Sequence, residues 1–439
     1  MRPLPRVEGE RARARPGSIL GQWNSAVTSY YVLTGATALL LVLGLVMVLS
    51  SSSVESLAAG RSPYALFLNQ AQFALIGLPL MWVTSRLPVR FYRRFAWPIL
   101  GAAAIFQLTV YLPGLGVTIQ GHRNWIRVGG LSAQPSEALK LALAIWLGAV
   151  LARKRPLLGQ WKHALIPAIP VAVAMIGLVL IGGDLGTAMV MMVLVAGGLF
   201  IAGVPLRFLT TAVAAGVAAA VTLAVTSPNR LARLQSLFGS GCDVTNGCYQ
   251  TLHGAWGLAT GGWAGLGLGQ SREKWSYLPE ANNDFIFAII GEELGLIGTL
   301  LVLTLFGLLA FAMFRVIRRH PDPFVQITTG AIATWIIGQA FINVGVVIGL
   351  LPVIGVPLPL VSSGGSALIM TMVALGIVIS FARSEPGAAE ALSARAGVVR
   401  RSLAVIGRTR VGRLDMRGSV PRADEPNDQR LRESSSPRR

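Results

Sequence analysis

Apolar runs of roughly twenty residues recur along the whole of this chain, and each can cross a hydrocarbon core of about 30 Å. They fall near 30–50, 66–85, 95–112, 135–152, 163–182, 185–203, 207–226, 284–315, 325–351 and 362–382. A bilayer offers no water to satisfy a backbone, so each run has to close its hydrogen bonds within itself as a helix. The pattern predicts an all-α, polytopic membrane protein with ten transmembrane helices. Hydrophobic residues make up 53% of the 439 and charged ones only 13%, which excludes the two or three soluble domains this length would otherwise suggest.

The net charge of +19 would fit a nucleic-acid partner, but its distribution does not. Positive charge gathers in the tails and in alternate loops. Arg2, Arg6, Arg11, Arg13 and Arg15 precede the first run, and Arg86, Arg90, Arg93 and Arg94 follow the second. Arg153, Lys154, Arg155 and Lys162 follow the fourth, Arg207 the sixth, and Arg315, Arg318 and Arg319 the eighth. That alternation predicts cytoplasmic N- and C-termini and contact with membrane lipids, with no nucleic acid involved. The first run is too long for a signal-peptide core and no small-residue cleavage pattern follows it, so it is expected to be retained. Residues 1–29 then form a basic cytoplasmic segment, 30–385 the membrane domain and 386–439 a basic tail, disordered by composition.

The largest outer loop, 227–283, joins helices seven and eight. It carries Cys242 and Cys248, the two cysteines of the chain. The Asn246-Gly247 turn between them and an oxidising compartment favour a disulfide, with two unpaired thiols as the alternative. Neither a CxxC motif nor a Cys/His cluster is present, which argues against zinc. The Gly-rich piece 261–269 follows no buried strand, so it reads as tight turns and not as a phosphate-cradling loop.

Charges concentrate at the end of this loop, in Arg272, Glu273, Lys274, Glu280 and Asp284. Asp284 stands where polar loop turns into apolar helix. Such an acid is a functional candidate or simply the helix cap after Asn282 and Asn283. Glu137 and Lys140, at i and i+3, share one face early in span four; they form either a self-neutralising pair or a polar centre facing a cavity. Asp184 reads as a plain cap in a tight outer turn. Residues 351–366 contain three prolines and a Ser/Gly cluster. Broken backbone at membrane depth survives only when buried in protein or lining a wet cavity.

The pieces QPSE, GLGLGQS, YLPEANNDFIFAIIGEELG, INVGVVIGLLP and PLPLVSSGGS occur in that order. They resemble the SEDS family, the lipid II polymerases of shape, elongation, division and sporulation, and most closely its division branch. The resemblance covers about 30–385. It implies a peptidoglycan glycosyltransferase of ten spans acting on lipid II at the outer face of the cytoplasmic membrane, at the division septum. It also implies a class B penicillin-binding protein, an FtsI-like transpeptidase, as partner. The family's essential outer-loop aspartate matches Asp284, its polar pair matches Glu137 and Lys140, and its basic loop residue matches Lys274. Asn124 stands where many members carry Arg, leaving Arg123 to deputise, and Gly183 stands where a Pro commonly precedes the Asp. In the tail, Val399, Leu403 and Ile406 share a face amid Arg400, Arg401 and Arg408. That face is either a contact for the inner leaflet or other division proteins, or part of a solvated tail that only enforces orientation.

Polymerising lipid II displaces a lipid-linked diphosphate from a sugar C1 by a 4-hydroxyl. The hydroxyl needs a general base, and desolvation raises the basicity of a carboxylate at an apolar boundary; Asp284 is the candidate. The leaving group needs positive charge, from Lys274, Arg272, Arg123 or Lys140. A divalent cation, Mg2+ or Mn2+, is the alternative source, with no cofactor certain and its ligands unknown. Glu280 is a further substrate-side candidate, placed farther into the loop. An elongation-type polymerase, a lipid II flippase and a non-enzymatic division scaffold are the competing readings. A reporter fused near Ser240 is expected to report the exterior and one at Pro156 the cytoplasm; swapped results would overturn the assigned active face.

Overall fold

The structure, a computed structural model, describes residues 27–58, 60–119, 122–128, 131–226, 228–237, 248–275 and 277–393. Cys242 and the apolar face of the tail expected at Val399 to Ile406 lie outside the described residues. Nine described helices are long and apolar enough to cross a membrane. They are α1 (Thr28–Ala58), α2 (Ala65–Arg86), α5 (Pro135–Lys154), α7 (Ala168–Ile181, preceded by the short α6, Trp161–Leu165), α8 (Leu185–Ala202), α9 (Leu206–Val225), α12 (Ile286–Arg319), α13 (Pro323–Val347) and α14 (Gly365–Arg383). The run expected at 95–112 becomes a shorter helix. After α3 (Val89–Arg94), α4 spans Ala96–Leu108 and a 3-10 turn continues it through Tyr111, together about 26 Å of rise. Two helices between α9 and α12, α10 (Pro228–Leu237) and α11 (Tyr249–Gly261), complete the set.

One departure from an all-helical chain lies between α4 and α5. There β1 (Gly116–Ile119), β2 (His122–Val128) and β3 (Leu131–Ala133) form an antiparallel sheet in the order β1-β2-β3. β1 pairs Val117 with Trp125, and β2 pairs Ile126 with Ala133. The run Trp125-Ile126 supplies the aromatic and β-branched side chains such a ribbon favours.

α5 is the hub. Pro135 opens it at a position where its missing N–H costs nothing, and its apolar residues have no polar face, the signature of a fully buried helix. Its span is 89% buried, whereas that of α9 is only 6% buried and lies at the periphery. α5 packs against α4, α8 and α13. Without a hydrophobic drive between helices in lipid, close approach of small residues does the work. A Cβ on Gly148 would come within 2.0 Å of Thr328 Oγ1 on α13.

α12 is broken one-quarter of the way along. Gly295 takes φ 66° and ψ −163°, a region open essentially to Gly alone. The break frees backbone groups at membrane depth, and the Gly-rich piece satisfies them. Leu266 and Gly267 N–H donate to the carbonyls of Glu292 and Glu293 at 2.9 and 3.0 Å, while Leu296 and Ile297 N–H donate to Gly262 and Trp263 at 2.9 and 3.2 Å. The turns expected of 261–269 are therefore present, and they brace the break. Gly295→Ala is expected to lower the thermal midpoint, with strain of about 1–3 kcal/mol and a clash with Gly265 N at 2.4 Å. Gly307→Ala, with nothing within 4 Å of its Cβ, is expected to leave the midpoint unchanged; equal midpoints for the two variants would contradict this account of the break.

Candidate active site

Asp284 does not cap α12. The cap position is Phe285, which makes no side-chain capping bond. Asp284 is part-exposed as a residue, yet its Oδ1 is enclosed without a hydrogen-bond partner. A buried polar atom without a partner calls for an explanation. Burial pushes the carboxyl up to about 7; the Glu280 carboxylate adds to the rise, and Arg233 opposes it. Near neutral pH the group is thus poised to exchange a proton.

The carboxyl faces a cavity of about 1130 Å³ with an apolar floor and a polar mouth. The floor runs between α7, α8 and α9, and Asn124, Gln134, Asp184, Arg230, Arg233, Glu280 and Asp284 are among the residues of the mouth. Pro352, Val353, Ile354, Gly355 and Pro357 form one wall. The broken segment expected to line a cavity does so, and it is buried in protein as well, through Val353, Val356 and Leu358.

A polar stripe on α13 fixes this wall. Trp335, Gln339 and Asn343 recur every fourth residue and so share one face. Gln339 Oε1 accepts from Lys140 Nζ at 3.1 Å and from Trp335 Nε1 at 3.0 Å, while its Nε2 donates to Pro357 O at 2.8 Å. Asn343 Nδ2 donates to Asp284 O at 2.7 Å and to Val356 O at 2.8 Å. Ser362 Oγ donates to Asn283 O at 2.7 Å, and Ser363 N–H to Asn282 O at 2.9 Å. The loop that carries Asp284 is therefore stapled to the Pro-rich segment from two sides.

The other expected residues separate. Glu137 and Lys140 are buried and ion-paired at 2.9 Å; they border Gln339 and do not line the cavity. Lys274 is buried against Glu293 at 3.1 Å. Arg123 donates to the carbonyls of Val110, Tyr111 and Leu112, and its neighbour Asn124 lines the cavity, buried with both amide atoms unpartnered. Arg272 is exposed, outside the cavity lining. Asp184 caps α8 as expected, accepting from Thr187 N–H at 2.8 Å, and also receives Gln134 Nε2 at 3.0 Å. Cys248 is disulfide-bonded. Among the described residues no three His, Cys, Asp or Glu side chains gather as a metal site would require.

Several side chains of this site are missing from the sequence expectations. Glu292 accepts from Ser271 Oγ and from the backbone of Arg272 at 2.9 Å, and with Glu293 it holds the charged loop against α12. Two adjacent acids within an apolar run were the available signal. Arg230 and Arg233 follow Pro228 at an i, i+3 spacing, a legible helix start. Gln339 and Asn343 show only as amides one turn apart in an apolar run.

Fold and cavity together define a multi-pass membrane protein with a carboxyl at the polar mouth of an otherwise apolar cavity. Residues 31–386 match the FtsW/RodA/SpoVE family of cell cycle proteins, and the chain belongs to it. It is 42% identical to the probable peptidoglycan glycosyltransferase FtsW of Mycobacterium tuberculosis, over 88% of this chain and 76% of that one. It is 33% identical to the stage V sporulation protein E of Bacillus subtilis, over 79% and 95%. Among solved structures, a chain of a peptidoglycan synthase complex that coordinates polymerization and crosslinking matches with TM-score 0.66 and 28% identity, covering 80% of this chain and 96% of that one. The rod shape determining protein RodA of Thermus thermophilus matches at 0.60 and 27%, covering 81% and 97%.

Asn343→Ala is expected to cost about 1–3 kcal/mol by orphaning two buried carbonyls. Asn343→Asp is expected to cost more, since it turns an acceptor toward both. Thermal midpoints of the purified variants check the order, and a milder effect of Asp than of Ala would contradict the staple.

Proposed function

We propose that this chain is an FtsW-type peptidoglycan glycosyltransferase that polymerises lipid II at the outer face of the cytoplasmic membrane during cell division. The observation that carries the reading is Asp284, a carboxyl raised to about 7 at the mouth of an amphiphile-shaped cavity. The names of its relatives support the reaction class. Asp284 takes the proton of the acceptor sugar's 4-hydroxyl as that oxygen attacks the donor C1. The new C1–O bond forms as the bond from C1 to the diphosphate oxygen breaks, and the lipid diphosphate leaves with the electron pair. A single displacement inverts the anomeric centre. Glu137 and Lys140 act through Gln339 on the cavity wall, and Lys274 orders the charged loop through Glu293.

The basic helix ends set the orientation, with both termini cytoplasmic and the cavity mouth outside. Cys242 and Cys248 pair in the outer loop. A class B penicillin-binding protein is the partner, a reading supported by the likeness to a chain of a peptidoglycan synthase complex. The basic tail 386–439 contributes to recruitment at the septum. A divalent cation, if one binds, adds positive charge beside the leaving group.

Purified protein with labelled lipid II and saturating partner is expected to build glycan chains; leaflet exchange without chain growth would make the protein a flippase, and neither activity a scaffold. General-base action requires the ionised carboxylate, so the rate is expected to rise with pH through a limb near 7, the value at Asp284. The Glu280 charge raises that value, so Glu280→Gln is expected to move the limb to lower pH. A limb that stays put or moves up would contradict the assignment of the base.

A further inference from the structure

We infer that α11 and the residues after it, 262–275, form a re-entrant hairpin whose glycine-rich tip, Trp263 to Leu268, is seated in lipid at the boundary between acyl chains and headgroups. The partner of this surface is the bilayer, and the seating does not depend on which reaction the protein runs.

α12 supplies a depth scale. After the break at Gly295 it exposes an apolar row, Leu296, Ile297, Leu300, Leu301, Phe311 and Phe314. From Leu296 to Phe314 the row rises about 27 Å, close to a hydrocarbon core of about 30 Å. Arg318 and Arg319 mark the surface at its far end. Ile286 to Glu293, ahead of the break, are buried in protein. Gly295 therefore lies at the hydrocarbon boundary away from the basic end.

α11 descends to that boundary. A Cβ on Gly254 would lie 3.0 Å from the Phe285 ring, and one on Gly261 would lie 1.9 Å from Gly291 O. Trp263 O then accepts from Ile297 N–H at 3.2 Å. Residue numbers rise together along the two elements, so they run parallel. After Leu268 the chain turns back. Arg272 N–H donates to Glu292 Oε1 at 2.9 Å, and Glu273 Oε2 meets His253 Nδ1, on the first half of α11, at 2.6 Å. The tip between these contacts is the part nearest the core.

Its composition suits lipid. No charged residue occurs from Gly254 to Ser271. Trp263 is 78% exposed, with Leu266 and Leu268 exposed beside it, and the bond to Ile297 makes this surface continuous with the apolar row of α12. Lipid tolerates bare apolar side chains but not unpaired backbone. The tip meets that condition: the carbonyls of Gly262 and Trp263 and the N–H groups of Gly265, Leu266, Gly267 and Gln270 all have backbone partners. A loop in water has no need of so full a set. Trp favours the headgroup level because its ring is amphipathic. Glu292 and Glu293 hold the charged loop on the same stretch of α12, so anchoring the tip fixes the height of that loop over the bilayer.

The test reads Trp263 by difference, as the emission of full-length protein in nanodiscs minus that of Trp263→Phe. The quenchers are phosphatidylcholine brominated near the glycerol end of its acyl chains, the same lipid brominated at the chain terminus, and iodide in the water. The Trp263 signal is expected to lose most intensity to the shallow bromine, less to the deep bromine and least to iodide. Trp275, exposed on the returning chain and read in the same way with Trp275→Phe, is expected to lose most to iodide. If Trp263→Phe does not fold, Trp263→Tyr gives the same difference under excitation selective for tryptophan. Strongest loss of the Trp263 signal to iodide would put the tip in water and overturn the seating, as would equal bromine quenching at the two positions. Bromine quenching of Trp263 that disappears on adding a class B penicillin-binding protein would assign the face to that protein and also overturn it.

Discussion

Asp284 and Val356 turn their carbonyls toward a single amide, that of Asn343, and the geometry of the site depends on this convergence. Neither carbonyl belongs to a helix, and both lie where the chain has left regular structure. Unpaired, each would cost about 1–3 kcal/mol. Asn343 on a long regular helix satisfies both, Gln339 does the same one turn away for Pro357, and Ser362 closes the other side. Rigid helices thus hold two irregular segments in register, and the Asp284 carboxylate hangs from the seam between them.

The carboxylates around this seam divide by their partners. Glu137 has Lys140, Glu293 has Lys274, and Glu292 has a hydroxyl and a backbone N–H. Asp184 is occupied by the α8 cap and by Gln134. Each of these stabilises structure, because a buried charge is tolerable only when it is paired and hydrogen-bonded. Asp284 differs in kind: its Oδ1 is enclosed without a hydrogen bond, as is Glu137 Oε2, but Glu137 has its ion pair with Lys140. Desolvation that would destabilise a structural carboxylate here raises the basicity of a catalytic one.

Sequence periodicity carried the helical architecture well, because a membrane span must read as an uninterrupted apolar run. It did so less well where an element is short. α4 with its 3-10 turn is shorter than the run that announced it, and the ribbon β1-β2-β3 hides in a loop rich in polar residues. Asp284, Glu137 and Lys140 stood out in the sequence as charge in apolar surroundings, and by resemblance. What each one touches did not. The Glu137–Lys140 pair meets Gln339 some two hundred positions away, and Lys274 meets Glu293 just before the break at Gly295. Spacing along the chain reports neighbours within one helix, whereas these partners are set by helix packing. The same limit hid Arg230 and Arg233, whose helix start was readable but whose cavity was not.

Local structure and base catalysis make different demands on residue 284. Asn matches Asp in size, but it cannot accept the proton of a sugar hydroxyl. The deciding measurement is glycan-chain formation from lipid II by matched, folded wild-type and Asp284→Asn proteins with saturating partner. A loss of about 10² to 10⁴-fold, the usual contribution of a general base, with an unchanged thermal midpoint is the predicted result; near-normal chain formation by the variant would contradict the account.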